Sequence, residues 1–463
     1  MADIRKSALL ESIKGSHFIK VVLIGFLVLL LQIPIAKIRG VIEEREQTRA
    51  EAVDEVTNKW GRSQSLMGPA IIVPYMSRTV GQDNRRQRQY QSDIEYASFL
   101  PESLKISGRI ESELRYRGIF KIPVYRMSIN LSGNFSRPDF TEWTIDPNDI
   151  LWDRAFLSVR VTDAQAMTKS SILSWNNKQL NFLPSAGGVR GNPEGIHVKL
   201  KDNLDSESFD FSFSLELNGS VRAFFVPFGQ DTEVNIVSNW PSPSFQGAWL
   251  PTNRTVNDEG FKATWNIPFL STNYPKNWKS WSDLERAASS SFFGVDMISP
   301  IDHYRMAHRS VKYQILFLVL TFATLWLFEV LIKINIHPMQ YLFVGVAMCL
   351  FYLLELSLAE HTGFVLAYVI ASIAIIVLVT SYCLAVLKTA KRAMIVGLVV
   401  MLLYIYLYVL LMIEDYALLF GSVGLFVALA IIMFLTRKVD WYSITNVNVL
   451  RAPVNNTESK TSN

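Results

Sequence analysis

The chain has 463 residues, half of them hydrophobic, with a formal net charge of +4 and a mean hydropathy of +0.20. A charge this small gives no support to nucleic-acid binding, and the length allows two or three domains. Both cysteines, Cys349 and Cys383, lie in apolar segments. The polar part of the chain therefore has no disulfide and no metal site of the cysteine type.

The N-terminal region predicts an uncleaved membrane anchor. Residues 1–20 are basic, and the apolar run that follows contains Gln32 as its only polar residue between Val21 and Ala36. This run is longer than the apolar region of a signal peptide, usually about 7–15 residues, and it meets no small-residue cleavage pattern. We predict a cytoplasmic N-terminus and a first transmembrane helix at 18–36.

Beyond the anchor the hydrophobic period changes twice. Residues 38–60 keep a helical period with opposite apolar and charged faces, which predicts an amphipathic periplasmic helix. From Ala70 to Leu270 the period becomes two, and an Asn218-Gly219 pair predicts a hairpin turn. Many short strands between turns predict a mainly β domain, antiparallel and sandwich-like. We assign it to residues 61–312, of which 271–312 form a return linker to the membrane.

Five apolar segments with short connections follow, each about as long as a membrane-spanning helix. We predict a bundle of five transmembrane helices over 313–435, at 313–332, 340–359, 364–387, 393–413 and 416–435. Loops that contain Lys or Arg (Lys333; Lys388, Lys391 and Arg392; Arg437 and Lys438) alternate with loops that contain Glu360-His361 and Glu414-Asp415. The positive-inside rule therefore predicts cytoplasmic termini, including a polar tail at 436–463, and a periplasmic β domain.

Two carboxylates, Glu329 and Glu355, lie inside these apolar segments. A carboxylate costs about 3 kcal/mol at membrane depth, so both should face the bundle interior or water. Glu329 could be a proton or ligand site, or it could hydrogen-bond to a neighbouring helix for packing. The packing role is favoured, and more strongly so for Glu355 because it lies nearer to the outer helix end.

Polar clusters flank the second helix of the predicted bundle. Pro338 suits the first turn of a helix and Gly363 suits a tight turn. On the predicted topology, His337 and His361 lie at opposite membrane faces and cannot share a metal ion. We expect no cofactor, and we take as candidate structural or functional membrane residues Glu329, His337, Pro338, Gln340, Glu360 and His361.

The chain contains no H-E-x-x-H, G-x-x-x-x-G-K-[ST] or G-x-S-x-G signature. Trp240, Trp249 and Trp265 could form a sugar-binding face, but a place in the core is favoured. We therefore expect a protein without enzymatic activity. Its expected partners are the lipid bilayer and either an envelope component or another membrane protein.

The chain resembles the CreD family of bacterial inner-membrane proteins in several motifs: His337-Pro338-Met339-Gln340-Tyr341, Glu360-His361-Thr362-Gly363-Phe364, Gly68-Pro69, Leu100-Pro101-Glu102-Ser103-Leu104 and Ser238-Asn239-Trp240-Pro241. The resemblance extends to Asp440-Trp441-Tyr442 and includes Glu329, whereas Glu355 departs from an apolar position. It implies an envelope-integrity protein, linked to a two-component envelope response, colicin tolerance and β-lactam response, and it implies no catalytic residue. A transporter or flippase that uses the six-helix bundle remains an alternative, as does, less favoured, a membrane-bound cell-wall enzyme.

Overall fold

The computed structural model describes residues 17–82, 88–187, 194–201, 203–272, 275–297, 303–332, 334–413 and 416–437. The chain divides into two compact units, one of Met1–Gln47 with Ile301–Asn463 and the other of Thr48–Pro300. We call them the membrane unit and the sheet unit. Several residues used above to predict the orientation lie outside the described ranges: the basic residues before position 17, Lys333, Glu414-Asp415, Lys438 and the rest of the tail.

The described residues form eight α-helices. They are α1 (His17–Leu30), α2 (Gln32–Trp60), α3 (Trp281–Ala288), α4 (His303–Ile332), α5 (Pro338–Thr362), α6 (Phe364–Leu387), α7 (Ala390–Met412) and α8 (Ala417–Thr436). Within the described ranges, six segments are long and apolar enough to cross a membrane: the joined α1–α2 segment and α4 to α8.

The helix that contains the predicted first transmembrane segment does not end at residue 36. α2 runs on to Trp60, so the amphipathic helix expected at 38–60 is the continuation of the same helix. Only Leu31 separates α1 from α2, and the N–H of Ile35 still donates to the Leu31 carbonyl (3.4 Å). The irregularity falls where Pro34 has no N–H to offer the preceding turn.

The sheet unit contains one nine-stranded and one eight-stranded sheet among its described residues. The strands are β1 (Gln64–Gln82), β2 (Arg88–Phe99), β3 (Ser103–Arg117), β4 (Phe120–Ser136), β5 (Phe156–Val161), β6 (Ile172–Trp175), β7 (Lys178–Asn181), β8 (Leu183–Pro184), β9 (Ile196–Lys199), β10 (Ser208–Ser220), β11 (Arg222–Phe225), β12 (Asp231–Ser238), β13 (Pro243–Gly247), β14 (Asn253–Asn257), β15 (Gly260–Pro268), β16 (Asn277–Trp278) and β17 (Phe293–Met297).

Both sheets are mixed. The larger sheet has the order β13-β17-β11-β1-β5-β9-β8, with β2 also paired to β1 and β16 to β2. The smaller sheet has the order β14-β15-β12-β3-β4-β10-β6-β7. Most neighbours are antiparallel, as expected, but β1 with β11 and β12 with β3 are parallel. The prediction of an antiparallel domain is therefore right for the other strand pairs and wrong for these two.

The Asn218-Gly219 pair does not form the hairpin turn expected of it. β10 pairs with β4 through both residues, and the chain changes sheet at Val221, which has a φ of 61°. A Cβ at Gly219 would lie 2.3 Å from the ring of Tyr125, so glycine is needed there for close packing. The alternation upstream is as predicted, because the apolar residues of β10 are buried while most polar residues between them are exposed.

Side chains of the two sheets share one hydrophobic core. Trp265 is buried in it and donates through Nε1 to the Trp249 carbonyl (3.2 Å), while Trp240 and Trp249 pack against it. These three tryptophans therefore have the core role that was favoured over a sugar-binding face.

The segment expected to be a return linker, 271–312, has regular structure. It contains α3 and β17, and all five residues of β17 are buried between β13 and β11. α4 also begins within this segment, at His303. The start was not predicted because Arg305, Arg309 and Lys312 make the first turns too polar to be recognised as part of an apolar helix.

Candidate functional site in the membrane unit

Glu329 of α4 belongs to a buried ion pair. Its side chain is 1% exposed, and one carboxylate oxygen accepts from Nζ of Lys20 in α1. The other oxygen accepts from the hydroxyl of Tyr341 in α5 (3.1 Å). Lys20 also lies 3.4 Å from Oδ1 of Asn335. A carboxylate buried at this depth is stable only with such partners, and here they come from two other helices.

The cluster at residues 337–340 forms the N-terminal cap of α5. The Nδ1 atom of His337 accepts from the N–H of Met339 (3.3 Å), and Oε1 of Gln340 accepts from the N–H of His337 (3.0 Å). Pro338 occupies the first turn, where the lack of an N–H costs nothing. This is a capping box with histidine in the place usually taken by serine or threonine. This cap explains why His337, Pro338 and Gln340 occupy these positions without invoking a bound ligand.

Glu360, at the other end of α5, receives three hydrogen bonds. Arg45 of α2 donates from Nε to Oε1 (2.8 Å) and from Nη2 to Oε2 (2.7 Å), and the Tyr304 hydroxyl donates to Oε1 (2.9 Å). The Glu360 side chain is 9% exposed. The bidentate geometry fixes both partners in orientation as well as in distance. We call the three residues Arg45, Tyr304 and Glu360 the clamp, because they join α2, α4 and α5.

The clamp residues lie close in sequence to both connections of the sheet unit. Arg45 comes two residues before Gln47, and Tyr304 comes three residues after Ile301. One turn along α4 from Tyr304, Nε2 of His308 lies 3.3 Å from Oε2 of Glu46. His361 is exposed beside Glu360, and Gly363 (φ 85°) forms the one-residue turn into α6.

The two ion pairs lie near opposite ends of α5. Tyr341 and Glu360 are 19 residues apart along a continuous helix, which corresponds to about 28 Å. This is close to the roughly 30 Å thickness of a bilayer core. The predicted residues therefore separate into one set around Glu329 and the α5 cap and another around Glu360, and they form no single site.

Glu355 is the second carboxylate inside an apolar helix of the membrane unit. It is 1% exposed, and Oε2 accepts from the Ser310 hydroxyl (2.9 Å), but Oε1 is buried without a hydrogen-bond partner among the described residues. The sequence interpretation gave Glu355 little weight as a functional residue because the family has an apolar residue at this position. The signal that could have identified it was an acidic residue within an apolar helix. Lys20 and Arg45 were missed as partners because they are more than 300 residues away in sequence.

The sheet unit has a polar cleft of about 750 Å³ at the edge formed by β8 and β9. Its lining is mainly hydroxyl, amide and charged groups, with Phe182 as the aromatic residue; it includes Asn58, Arg62, Asp163, Lys169 and Ser171. Among the described residues, no group of three or more His, Cys, Asp or Glu side chains could hold a metal ion.

A comparison with protein families shows which family this chain belongs to. The family described as inner membrane protein CreD matches residues 16–442. The chain belongs to the CreD family. The inner membrane protein CreD of Escherichia coli (strain K12) is 34% identical over 435 residues, which cover 94% of this chain and 95% of that protein. Membership of the CreD family makes this a multi-pass inner-membrane protein, in agreement with its apolar helices.

Two solved structures show only weak similarity to this CreD family member. An M1 zinc metallopeptidase from Deinococcus radiodurans is 10% identical and covers 36% of this chain and 38% of its own, with a TM-score of 0.19. A two-domain M1 zinc metallopeptidase mutant bound to L-tryptophan gives the same TM-score and identity. Likeness at this level supports no inference about fold or activity.

Proposed function

We propose that this CreD family member maintains the integrity of the cell envelope without catalysing a reaction. In this proposal its sheet unit lies in the periplasm and both termini lie in the cytoplasm. The basic residues Lys388, Lys391 and Arg392 around the start of α7, and Arg437 after α8, support this orientation, because positively charged loops remain on the cytoplasmic side.

The pairing of Glu329 with Lys20 is the observation that carries the proposal. A proton-coupled transporter needs a carboxylate that can gain and lose its proton within the bundle. Both carboxylate oxygens of Glu329 are engaged in contacts between helices, one with the Lys20 ammonium and the other with the Tyr341 hydroxyl. This arrangement favours a bundle that acts as a rigid membrane anchor, with the sheet unit as the interacting part.

The polar cleft of the sheet unit supports a binding role for that unit. Hydroxyl, amide and charged side chains around one aromatic ring suit a polar component of the envelope. The resemblance to the CreD family implies a role in envelope stress, and we take tolerance of colicins and response to β-lactams as the phenotypes to be tested.

A second candidate function is transport of an envelope component, and Glu355 is the observation that favours it. Its Oε1 atom is buried without a hydrogen-bond partner among the described residues, which leaves it available to a transient ligand. The phenotype of Glu355→Gln tests this alternative. A variant that accumulates normally but behaves as a deletion would support transport.

Orientation is tested by thiol labelling. Ser206 lies in an exposed loop of the sheet unit, and Thr389 is exposed at the start of α7. We expect Ser206→Cys to react with a membrane-impermeant maleimide in intact spheroplasts, and Thr389→Cys to react only after permeabilisation. The native Cys349 and Cys383 are buried and provide a low background. The opposite labelling pattern would reverse the proposed topology.

A further inference from the structure

The hairpin of β3 and β4 extends beyond the core of the sheet unit. Leu104, Ile106 and Ile110 of β3 are buried, but every residue from Glu113 to Arg117 is exposed. The two-residue turn contains Gly118 in a left-handed conformation (φ 58°), with open space where a Cβ would be. We call residues 113–121 the hairpin tip.

One face of the hairpin tip packs against the part of α2 that belongs to the sheet unit. Arg117 donates from Nε to Oε2 of Glu55 (2.8 Å), and the Arg115 guanidinium lies 3.7 Å from the centre of the Trp60 ring. Below them, Ile122 of β4 is buried in a small apolar cluster with Ala52. This face is therefore accounted for by intramolecular contacts.

The opposite face of the hairpin tip is apolar and has no such cover. Leu114 is 44% exposed and Tyr116 is 65% exposed, and Ile119 in the turn is 37% exposed. The strand register places Tyr116 opposite Lys121, so this face combines aliphatic, aromatic and cationic groups. Neighbouring exposed apolar side chains of this kind generally mark an interaction surface.

The chain connection indicates which partner this face meets. The contacts with Glu55 and Ala52 place the hairpin tip beside the first turns of the sheet unit, where the chain arrives from the membrane unit. Glu55 is eight residues beyond Gln47, the last residue of the membrane unit before the chain enters the sheet unit. Tyrosine, aliphatic and lysine side chains are the kinds of group that bind at a bilayer surface.

We propose that the hairpin tip docks on the bilayer surface. Leu114, Tyr116 and Ile119 enter the headgroup region, and the ammonium of Lys121 pairs with an anionic lipid headgroup. The tip supplements the transmembrane helices as a second, reversible attachment of the sheet unit. The inference does not depend on which side of the membrane the unit faces.

The test uses the full chain in lipid nanodiscs that contain no other protein. Ile119→Cys is labelled with an environment-sensitive fluorophore, and quenching by lipids that carry a nitroxide in the headgroup region is measured. Ser206→Cys is the matched control, since it lies near the other end of the β4–β10 ladder, about 50 Å away. We expect quenching at residue 119 to exceed that at residue 206 by at least about threefold.

Variants separate lipid docking from other causes. Leu114→Ser combined with Tyr116→Ser should abolish the excess quenching at residue 119, whereas Val256→Ser, an equally exposed apolar position on β14, should not. Lys121→Gln should weaken docking about fivefold with anionic lipids and have little effect with zwitterionic lipids. Circular dichroism of each variant verifies folding. Equal quenching at residues 119 and 206 in both lipid compositions would overturn the proposal and leave the face to a protein partner.

Discussion

Replacing Glu329 by Gln should weaken the bundle without abolishing envelope tolerance. The variant leaves the Lys20 ammonium opposite an amide, which still accepts a hydrogen bond but has no charge. Breaking a fully buried ion pair costs about 3–5 kcal/mol. The Lys20 side chain is 22% exposed and can extend towards the interface, so we expect a smaller loss of about 1–2 kcal/mol in the free energy of unfolding.

Two further variants define the origin of this loss. Glu329→Leu also removes the acceptor of the Tyr341 hydroxyl and should cost about 3 kcal/mol. The combination of Lys20→Met and Glu329→Leu should recover the part of this loss that comes from the unpaired ammonium, because apolar replacement of both partners of a buried pair is often neutral. It should remain about 1 kcal/mol less stable than the parent, because the Tyr341 hydroxyl still lacks its acceptor. Glu46→Gln, at a side chain that is 56% exposed, is the matched carboxylate control and should change little.

The assay has two parts. Thermal unfolding in nanodiscs gives the stability differences, and growth of a deletion strain complemented with each variant under colicin or β-lactam challenge gives function. We expect function to follow the amount of folded protein. If Glu329→Gln and the double variant accumulate normally and both behave as a deletion, the ionisable carboxylate itself is required. Such a result would refute the anchor role and favour proton-coupled transport.

Two other predictions concern the ends of α5. Glu360→Gln should lower the free energy of unfolding by about 1–2 kcal/mol because it loses the bidentate contact with Arg45. Arg45→Lys should also be destabilising, because a lysine ammonium cannot form the bidentate contact of a guanidinium. Thermal unfolding of each variant measures both effects. His337→Ala should cost about 1 kcal/mol as a lost cap, while His337→Asn, which can also accept from the helix N-terminus, should retain most of the stability. A normal unfolding temperature for His337→Ala would mean that the cap bond contributes nothing.

The sequence predicted the features that depend on local pattern. Pro338 begins α5 as expected, and the alternation in β10 corresponds to its buried and exposed faces. Hydrophobic period and helix-start chemistry are short-range signals, so one segment is enough to recognise them. The charged first turns of α4 and the five-residue strand β17 were missed because each segment is too short to show a hydrophobic period.

The contacts that give the candidate residues their roles could not be predicted from the sequence. Glu360 was recognised as polar and interfacial, but nothing local to it identifies Arg45 as its partner. The parallel pairing of β3 with β12 is hidden for the same reason, since the two strands are separated by more than 100 residues. Gly219 illustrates the remaining type of error. Its flexibility indicated a turn, whereas close packing against Tyr125 is what requires a glycine.

The separation between the partners of the membrane unit has a consequence for biosynthesis. Lys20 and Glu329 are 309 residues apart, Arg45 and Glu360 are 315 apart, and Gln32 and Gln314, which are hydrogen-bonded at 2.6 Å, are 282 apart. At roughly 5–20 residues per second, the ribosome needs about 15–60 s to supply the second member of each pair. During this interval the first helix waits in the bilayer with its polar side chains unmatched, while the whole sheet unit is synthesised. The nascent chain therefore has a defined window in which an insertase or a chaperone could hold that helix.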